Sequence, residues 1–441
     1  VSQTIILGRY ILINSEEGIM ENWGVCIEAN LISRVGSHED LKREYPKAAI
    51  IDATDKIIAP GFINGHMHMY GILSHGITVD AAPTEFTSFL EDFWWPYVED
   101  QLDHEMVKAS TEMACVEMIK SGITTFYDCL EGPNSIPGAL KVSAQVVEEA
   151  GMRGILSFEA CERVDESNAE LGLQENVDFI EWAKKNYKLV AGMMCIHTTF
   201  TCSKDFIKRA KQLSQKVGSK IHMHLSESVY EPEYSMDKYG KRPVDIYSEL
   251  DYLDEDVVAS QCVQLNNVEV EILAKAGTKA VHMPLSNCEV GGGVAPIPDM
   301  LEKGILVGLG TDGYINDFFE VMRGAFLIHK AYRQDPQVMP SSLVYKMATS
   351  MGANVLGFKK LGEIKQGYLA DLITIDASLP TPLNSENIYD QLVLFKSSID
   401  VKDVMINGKW IMQNREILSI NEKQAIDKCQ KAAKKMWNKH Q

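Results

Sequence analysis

Pro60-Gly61-Phe62-Ile63-Asn64-Gly65-His66-Met67-His68 and Leu309-Gly310-Thr311-Asp312-Gly313 decide how this chain is read. The first is an apolar run that ends in His-x-His. The second is a shorter apolar run that ends in an aspartate among glycines. Side chains alternate along a strand, so His66 and His68 point to the same side. Two imidazoles on one face at a strand end can grip one metal ion, and an aspartate at another strand end can complete the site.

The long stretch around these two motifs alternates between strand and helix. Buried-strand candidates run at 57–64, 122–128, 153–159, 189–197, 219–225, 256–263, 277–283 and 305–311. Helical patterns such as Glu105–Lys120 and Asp205–Val217 separate most of them. This alternation predicts an α/β fold whose parallel sheet closes into a (β/α)8 TIM barrel. A doubly wound open sheet is the alternative, but no Gly-x-Gly-x-x-Gly follows an early strand. Gly291-Gly292-Gly293 lacks the Lys-Ser/Thr pair of a phosphate loop and reads as a flexible βα loop.

The two ends of the chain have a different rhythm. Short strands are expected at Thr4–Leu7, Gly24–Glu28 and Ile32–Val35, and again at Ala370–Asp376 and Val401–Ile411. Asn407-Gly408 is a strong hairpin signal. Residues 1–57 and 362–422 are therefore expected to build one small β-sandwich domain around a barrel at 58–361. Residues 423–441 read as a basic C-terminal helix with Ile426, Cys429 and Trp437 packing inward.

Composition narrows the function. The chain has 441 residues, 45% of them hydrophobic and 24% charged, which suits a sizeable core rather than disorder. A formal net charge of -18 repels phosphate backbones and argues against nucleic acid as a partner. No apolar stretch reaches the ~18 residues of a membrane span, and Val1–Tyr10 lacks the pattern of a signal peptide. Nine cysteines without a Cys-x-x-Cys pair fit reduced thiols, so a cytoplasmic location is expected. The expected partners are a small heterocyclic substrate and further copies of the chain, as a dimer or higher oligomer.

Placed on a barrel, the polar residues gather at strand C-terminal ends, where barrel active sites lie. His66 and His68 close the first strand. His222 and His224 end the fifth, with Glu227 following. His282 ends the seventh and Asp312 the eighth. Same-face alternation leaves His222 and His224 as equal candidates for a ligand.

These residues resemble the amidohydrolase superfamily. The likeness rests on Pro-Gly-Phe-Ile-Asn-x-His-x-His, His224-Leu-Ser-Glu227, Pro284-Leu-Ser-Asn287 with Ala295-Pro296, and Leu-Gly-Thr-Asp312-Gly. It spans essentially the whole chain, through Ala348-Thr349, Gly352-Ala353, Leu361-Gly-Glu-Ile and Gly367-Tyr-Leu-Ala-Asp371-Leu. Within the superfamily the chain is similar to the cytosine/guanine/methylthioadenosine-type aminohydrolases, with the SsnA-type aminohydrolases as the nearest likeness. Phe93-Trp94-Trp95, Phe158-Glu-Ala-Cys-Glu-Arg163, the stretch from Phe318 to Lys330, Leu379-Pro-Thr-Pro-Leu383 and Ala432-Ala-Lys-Lys-Met-Trp437 carry that finer match.

The resemblance implies one divalent metal held by His66, His68, His224 and Asp312, with the His-x-x-Glu match selecting His224 over His222. Zinc suits three histidines and one carboxylate, with Fe2+ or Mn2+ as alternatives. Two-metal relatives bridge their ions with a lysine ending the fourth strand. Val190-Ala-Gly-Met-Met-Cys-Ile-His197 has none, which favours a single ion. The implied activity is a hydrolytic deaminase acting on a purine, pteridine, pyrimidine or triazine. A metal lowers the pKa of bound water from ~15.7 towards ~7–9. Asp312 takes the water's proton, Glu227 protonates the ring nitrogen, hydroxide adds to the amidine carbon and ammonia leaves. His197 is implied to contact substrate. Trp94 and Trp95 are candidates to stack on a flat ring, Arg163 to face an anionic group, and His282 to line the pocket.

One position departs from the pattern. Relatives end the sixth strand in a motif like Ala-His-Cys-Val, whose histidine bonds the catalytic water. This chain has Ser260-Gln261-Cys262-Val263. Gln261 can hydrogen-bond water or substrate but carries no proton at neutral pH. The departure keeps two other readings in view: a ring-opening cyclic amidohydrolase or chlorohydrolase, and a catalytically impaired protein that binds metal and heterocycle without turnover.

Overall fold

At Gly61 the chain leaves one sheet and enters another. In the computed structural model, which describes residues 3–14, 18–80 and 83–438, strand Ala49–Pro60 belongs to a peripheral sheet and strand Phe62–Met67 opens the barrel. A Cβ on Gly61 would lie 2.2 Å from the Thr124 side chain, so only glycine allows the crossing. The single strand expected at 57–64 is therefore two strands. The apolar run continues through the junction, which is why hydrophobicity alone does not mark it.

The barrel strands are β1 (Phe62–Met67), β2 (Ile123–Leu130), β3 (Arg153–Phe158), β4 (Val190–Gly192, continuing as Met194–Cys195), β5 (Ile221–Leu225), β6 (Val257–Gln261), β7 (Lys279–His282) and β8 (Val307–Leu309). Each pairs in parallel with the next, and β8 returns to β1 through Leu309 and Asn64, so the sheet closes. β2 and β3 are buried along their whole length, as expected for parallel strands covered on both faces. Helix His104–Ser121 starts at Asp103, whose side chain accepts a hydrogen bond from the Met106 amide, and stops at left-handed Gly122. Helix Lys204–Val217 is built the same way between Ser203 and Gly218.

Both chain ends meet in one continuous nine-stranded mixed sheet. It is joined where Ala49–Pro60 pairs antiparallel with Leu372–Asp376. Ile6, Ile11, Val25, Ile27, Ile58, Leu372 and Met405 form its core. Asn407 and Gly408 both have positive φ (52° and 74°) at the turn between strands Val401–Ile406 and Lys409–Gln413, the geometry of a two-residue hairpin. The chain thus forms the expected α/β fold, a TIM barrel with a smaller β unit from both ends. A buried ion pair, Arg153 to Asp371 at 2.9 Å, ties β3 to the start of the returning segment.

The C-terminal helix runs from Glu422 to Trp437 and packs on helix His104–Ser121. Residues 439–441 of the expected helix lie outside the described residues. Its buried residues are Ala425, Ala432 and Met436, with Cys429 and Trp437 half-buried, and the Trp437 indole donates to the Leu73 carbonyl. Ile426 does not pack inward as expected but is 38% exposed. It sits one residue, about 100° of helix rotation, off the buried stripe. Among the described residues no helix is long and apolar enough to cross a membrane.

Candidate active site

The site is assembled where β1 and β8 end side by side. The amides of Thr311 and Asp312 both donate to the His66 carbonyl, and the His68 amide donates to the Asp312 carbonyl. This crossing brings His66, His68 and Asp312 together although they are far apart in sequence. His66 Nε2 lies 3.2 Å from His68 Nε2. Asp312 Oδ1 lies 3.1 Å from His68 Nε2 and 3.5 Å from His66 Nε2. His224, at the end of β5, joins them so that the three histidines offer ligand atoms within 4.8 Å of one another.

The arrangement fits a cation. His68 Nδ1 lies 2.7 Å from the Cys129 carbonyl. A carbonyl only accepts, so that nitrogen carries the proton and Nε2 of the neutral ring presents a lone pair. His66 has the matching option, with Nδ1 3.1 Å from His222 Nε2. Two lone pairs 3.2 Å apart beside a carboxylate oxygen repel unless a positive charge lies among them. Burial holds His66 and His224 down at about 3, so both rings are neutral, the form that ligates. At His68 burial pulls the same way, but the charges of Glu131 and Asp312 outweigh it and raise the pKa well above the ordinary value. His222 lies behind His66, with one ring nitrogen towards His66 and the other towards Cys195, whereas His224 groups with His66 and His68.

Asp312 is held in a conformation that side-chained residues seldom adopt, with φ of 59°. Its Oδ2 accepts from Gln261 Nε2 at 2.8 Å and from Ser286 Oγ at 2.7 Å. Gln261 also has positive φ, 71°, and its Oε1 accepts from the Asn287 amide. The residue that departs from the family pattern is therefore hydrogen-bonded on both sides. An amide can donate to Asp312 and accept from Asn287 at once.

These groups face a cavity of ≈ 440 Å³ that also takes in His197 and Glu227. Phe86, Phe89, Phe93 and Trp94 form its aromatic wall, with Trp94 stacked on Phe89 at 5.7 Å between centroids. Burial, reinforced by the charge of Asp312, raises the Glu227 carboxyl well above the usual carboxylate range. For Asp312 burial acts upward, but hydrogen bonds from the His66 and His68 rings, and the charge His68 carries when protonated, prevail and hold it well below. Gly292 passes so close that a Cβ there would lie 2.5 Å from the Glu227 carbonyl. Within the glycine run only Gly292 backs Glu227, while Gly291 has open space around it.

Three expected substrate contacts are elsewhere. Arg163 does not line this cavity: its guanidinium pairs with Glu99 at 3.0 Å and Asp100 at 2.9 Å. Trp95 turns away from Trp94 and lies under Arg163, 4.8 Å from the ring centroid to the guanidinium carbon. His282 is buried against His329, Nε2 to Nε2 at 3.0 Å. Each meets a partner brought from a distant element.

Other residues of the site were not singled out from sequence. Glu159 sits 2.7 Å from His224 Nδ1, off-line for a straight hydrogen bond but close enough to orient the ring. Glu131 lies 3.5 Å from His68 Nδ1. Both follow the last residue of a barrel strand, Phe158 and Leu130, the position that marked the histidines. Ser286 and Asn287 lie within the quoted Pro284–Asn287 motif.

Comparison with known proteins agrees with this geometry. The amidohydrolase family model matches residues 57–411. The chain is 33% identical over 416 residues to a 5'-deoxyadenosine deaminase of Methanocaldococcus jannaschii, covering 92% of this chain and 94% of that protein. It is 32% identical over 445 residues, 100% of both chains, to a 5-methylthioadenosine/S-adenosylhomocysteine deaminase of Pelotomaculum thermopropionicum. Among solved structures, an adenosine deaminase from Xanthomonas campestris with bound zinc superposes with a TM-score of 0.90 at 22% identity, covering 99% of each chain. The chain belongs to the amidohydrolase family.

Proposed function

We propose that this chain is a zinc-dependent deaminase of aminopurine-type heterocycles, and that it holds one zinc through His66, His68, His224 and Asp312. A divalent ion there supplies Lewis acidity that makes a water nucleophilic near neutral pH. The chain's own residues do the rest. Trp94 and the phenylalanine wall take the flat ring. Glu227, kept protonated by its surroundings, donates to the ring nitrogen next to the carbon under attack and draws electrons from that carbon. Asp312, kept ionised, accepts the proton of the attacking water and passes it towards the departing amino group. Gln261 and Ser286 fix the Asp312 oxygen that faces away from the histidines, and His197 borders the ring. The carrying observation is that one cavity holds two carboxyls pushed in opposite directions, one for each proton role.

The cavity offers nothing to pair with an anion. Its lining holds the ionised Asp312, three further carboxyls and, among the described residues, no lysine or arginine. The substrate is therefore an uncharged or cationic 6-aminopurine nucleoside, in the range of the 5'-deoxyadenosine and 5-methylthioadenosine named for the relatives. Zinc-loaded protein offered these nucleosides together with aminopteridines, amino- and chlorotriazines and cyclic amides should release ammonia. Elemental analysis of the active protein should find one zinc per chain. A ring-opened acid or halide as product, or two ions per active chain, would overturn the assignment.

Gln261→His is expected to lower turnover or leave it within threefold. A neutral imidazole can donate from one ring nitrogen and accept at the other, but its two nitrogens sit at different distances from the backbone, so it cannot meet Asp312 and Asn287 together as the terminal carboxamide of glutamine does. A gain of about 10²-fold or more, the scale of one preorganised group, would mean that the site is impaired by its glutamine.

A further inference from the structure

Below the residues that face the cavity, the barrel holds a second set of metal-binding atoms that deamination does not use. Cys129 on β2, Cys195 on β4 and His222 on β5 are fully buried and touch one another. The two sulfurs are 3.4 Å apart, and Cys195 Sγ is 3.4 Å from His222 Nδ1. A tetrahedral ion with M–S near 2.3 Å and M–N near 2.05 Å sets S–S edges of about 3.7 Å and S–N edges of about 3.5 Å. An outward shift of a few tenths of an ångström therefore opens the cluster to an ion.

We propose that Cys129, Cys195 and His222 form an inhibitory site for a thiophilic divalent ion such as Cd2+ or excess Zn2+, opposed to the catalytic ion. Two sulfurs and an imidazole favour such ions over Mg2+ or Mn2+. The entering ion displaces one proton from each thiol. Two positive charges replace two protons, so the cluster stays neutral in a dry core, which an uncompensated ion would not.

The opposition follows from the placement of protons. His222 Nε2 lies 3.1 Å from His66 Nδ1. When His66 ligates through Nε2, its proton sits on Nδ1 and His222 Nε2 accepts it. His222 then carries its own proton on Nδ1, towards Cys195 Sγ, and the Cys195 thiol is within reach of the Ile196 carbonyl at 3.5 Å. An ion on His222 Nδ1 moves that ring's proton to Nε2, which now donates to His66 Nδ1. His66 must then hold its proton on Nε2, the atom that faces His68 and Asp312. Filling the deep site thus costs the catalytic site a ligand. This coupling rests on the reading of His66 as a catalytic ligand, whereas binding at the three deep donors does not.

The test is a cadmium titration of zinc-loaded protein carrying Cys288→Ser, which removes the exposed thiol. Ultraviolet thiolate-to-cadmium charge transfer reads the deep site, a zinc indicator reads loss of the catalytic ion, and ammonia release reads activity. One equivalent of Cd2+ should produce a two-thiolate band, release zinc and lower turnover at least tenfold, all reversed by a chelator. Cys129→Ala and Cys195→Ala should each remove the band, and Cys195→Ala should preserve activity in cadmium. A missing band, or one that survives both substitutions, overturns the site whether or not any substrate is deaminated. A band that develops while zinc stays bound overturns the opposition. If an alanine variant fails to fold, the titration of the Cys288→Ser protein still decides.

Discussion

His68→Ala is expected to abolish deamination together with metal binding, and Asp312→Asn to abolish deamination even where some metal remains. His68 Nε2 is the atom nearest both His66 Nε2 and Asp312 Oδ1, and its orientation is fixed by the Cys129 carbonyl. Alanine removes the centre of the ligand set and leaves two neutral imidazoles and one carboxylate. The asparagine case is decided by hydrogen bonds. Asp312 uses Oδ2 to accept from both Gln261 and Ser286 and turns Oδ1 to the histidines. Asparagine has only one oxygen. Kept towards Gln261 and Ser286, it aims N–H groups at the ring nitrogens that should bind the ion. Flipped, it sets its amide nitrogen against the Gln261 donor. In either orientation it cannot take a proton from water. A loss of at least ~10³-fold in ammonia release is expected for both variants, about 4 kcal/mol of barrier. Elemental analysis separates them, with zinc absent from His68→Ala. Near-normal turnover by Asp312→Asn would remove Asp312 from the proton path.

The proposed ligand set was legible in the sequence because each member sits at a strand end. His66, His68, His224 and Asp312 follow apolar runs that become β1, β5 and β8, and barrel geometry then brings the ends together. Glu131 and Glu159 carry the same signal but follow β2 and β3 without a histidine to draw attention. Arg163, Trp95 and His282 lie outside the cavity for another reason. Arg163 is drawn to Glu99 and Asp100, about sixty residues earlier, and His282 to His329, 47 residues later. Pairings of that range come from loop and helix packing that no local pattern encodes. The choice between His222 and His224 is of the same kind. Both face inward, and only depth along β5 separates the one facing the cavity from the one behind His66. Gln261 shows the converse. Its identity was plain, but its purpose became visible only with Asn287 and Asp312 on either side.

Glu227→Gln is expected to keep the metal and lower turnover by roughly 10²-fold or more, about 2.7 kcal/mol of barrier. Glutamine preserves the shape and can still offer an N–H to the ring nitrogen, but it cannot transfer a proton. The pH profile makes the assignment specific. Burial and the neighbouring charge of Asp312 raise the Glu227 pKa well above the ordinary carboxylate value. An acid with a raised pKa stays protonated, and competent as a donor, below that pKa. It loses its proton, and the reaction its donor, as pH rises through it. The native enzyme should therefore show an alkaline fall in kcat/KM that the glutamine variant lacks, because glutamine has nothing to titrate there. The difference between the two enzymes should be greatest at low pH and should narrow as pH rises. Loss of zinc from Glu227→Gln would make Glu227 a ligand rather than a donor. An alkaline limb that persists unchanged in the variant would assign that proton to another group of the cavity.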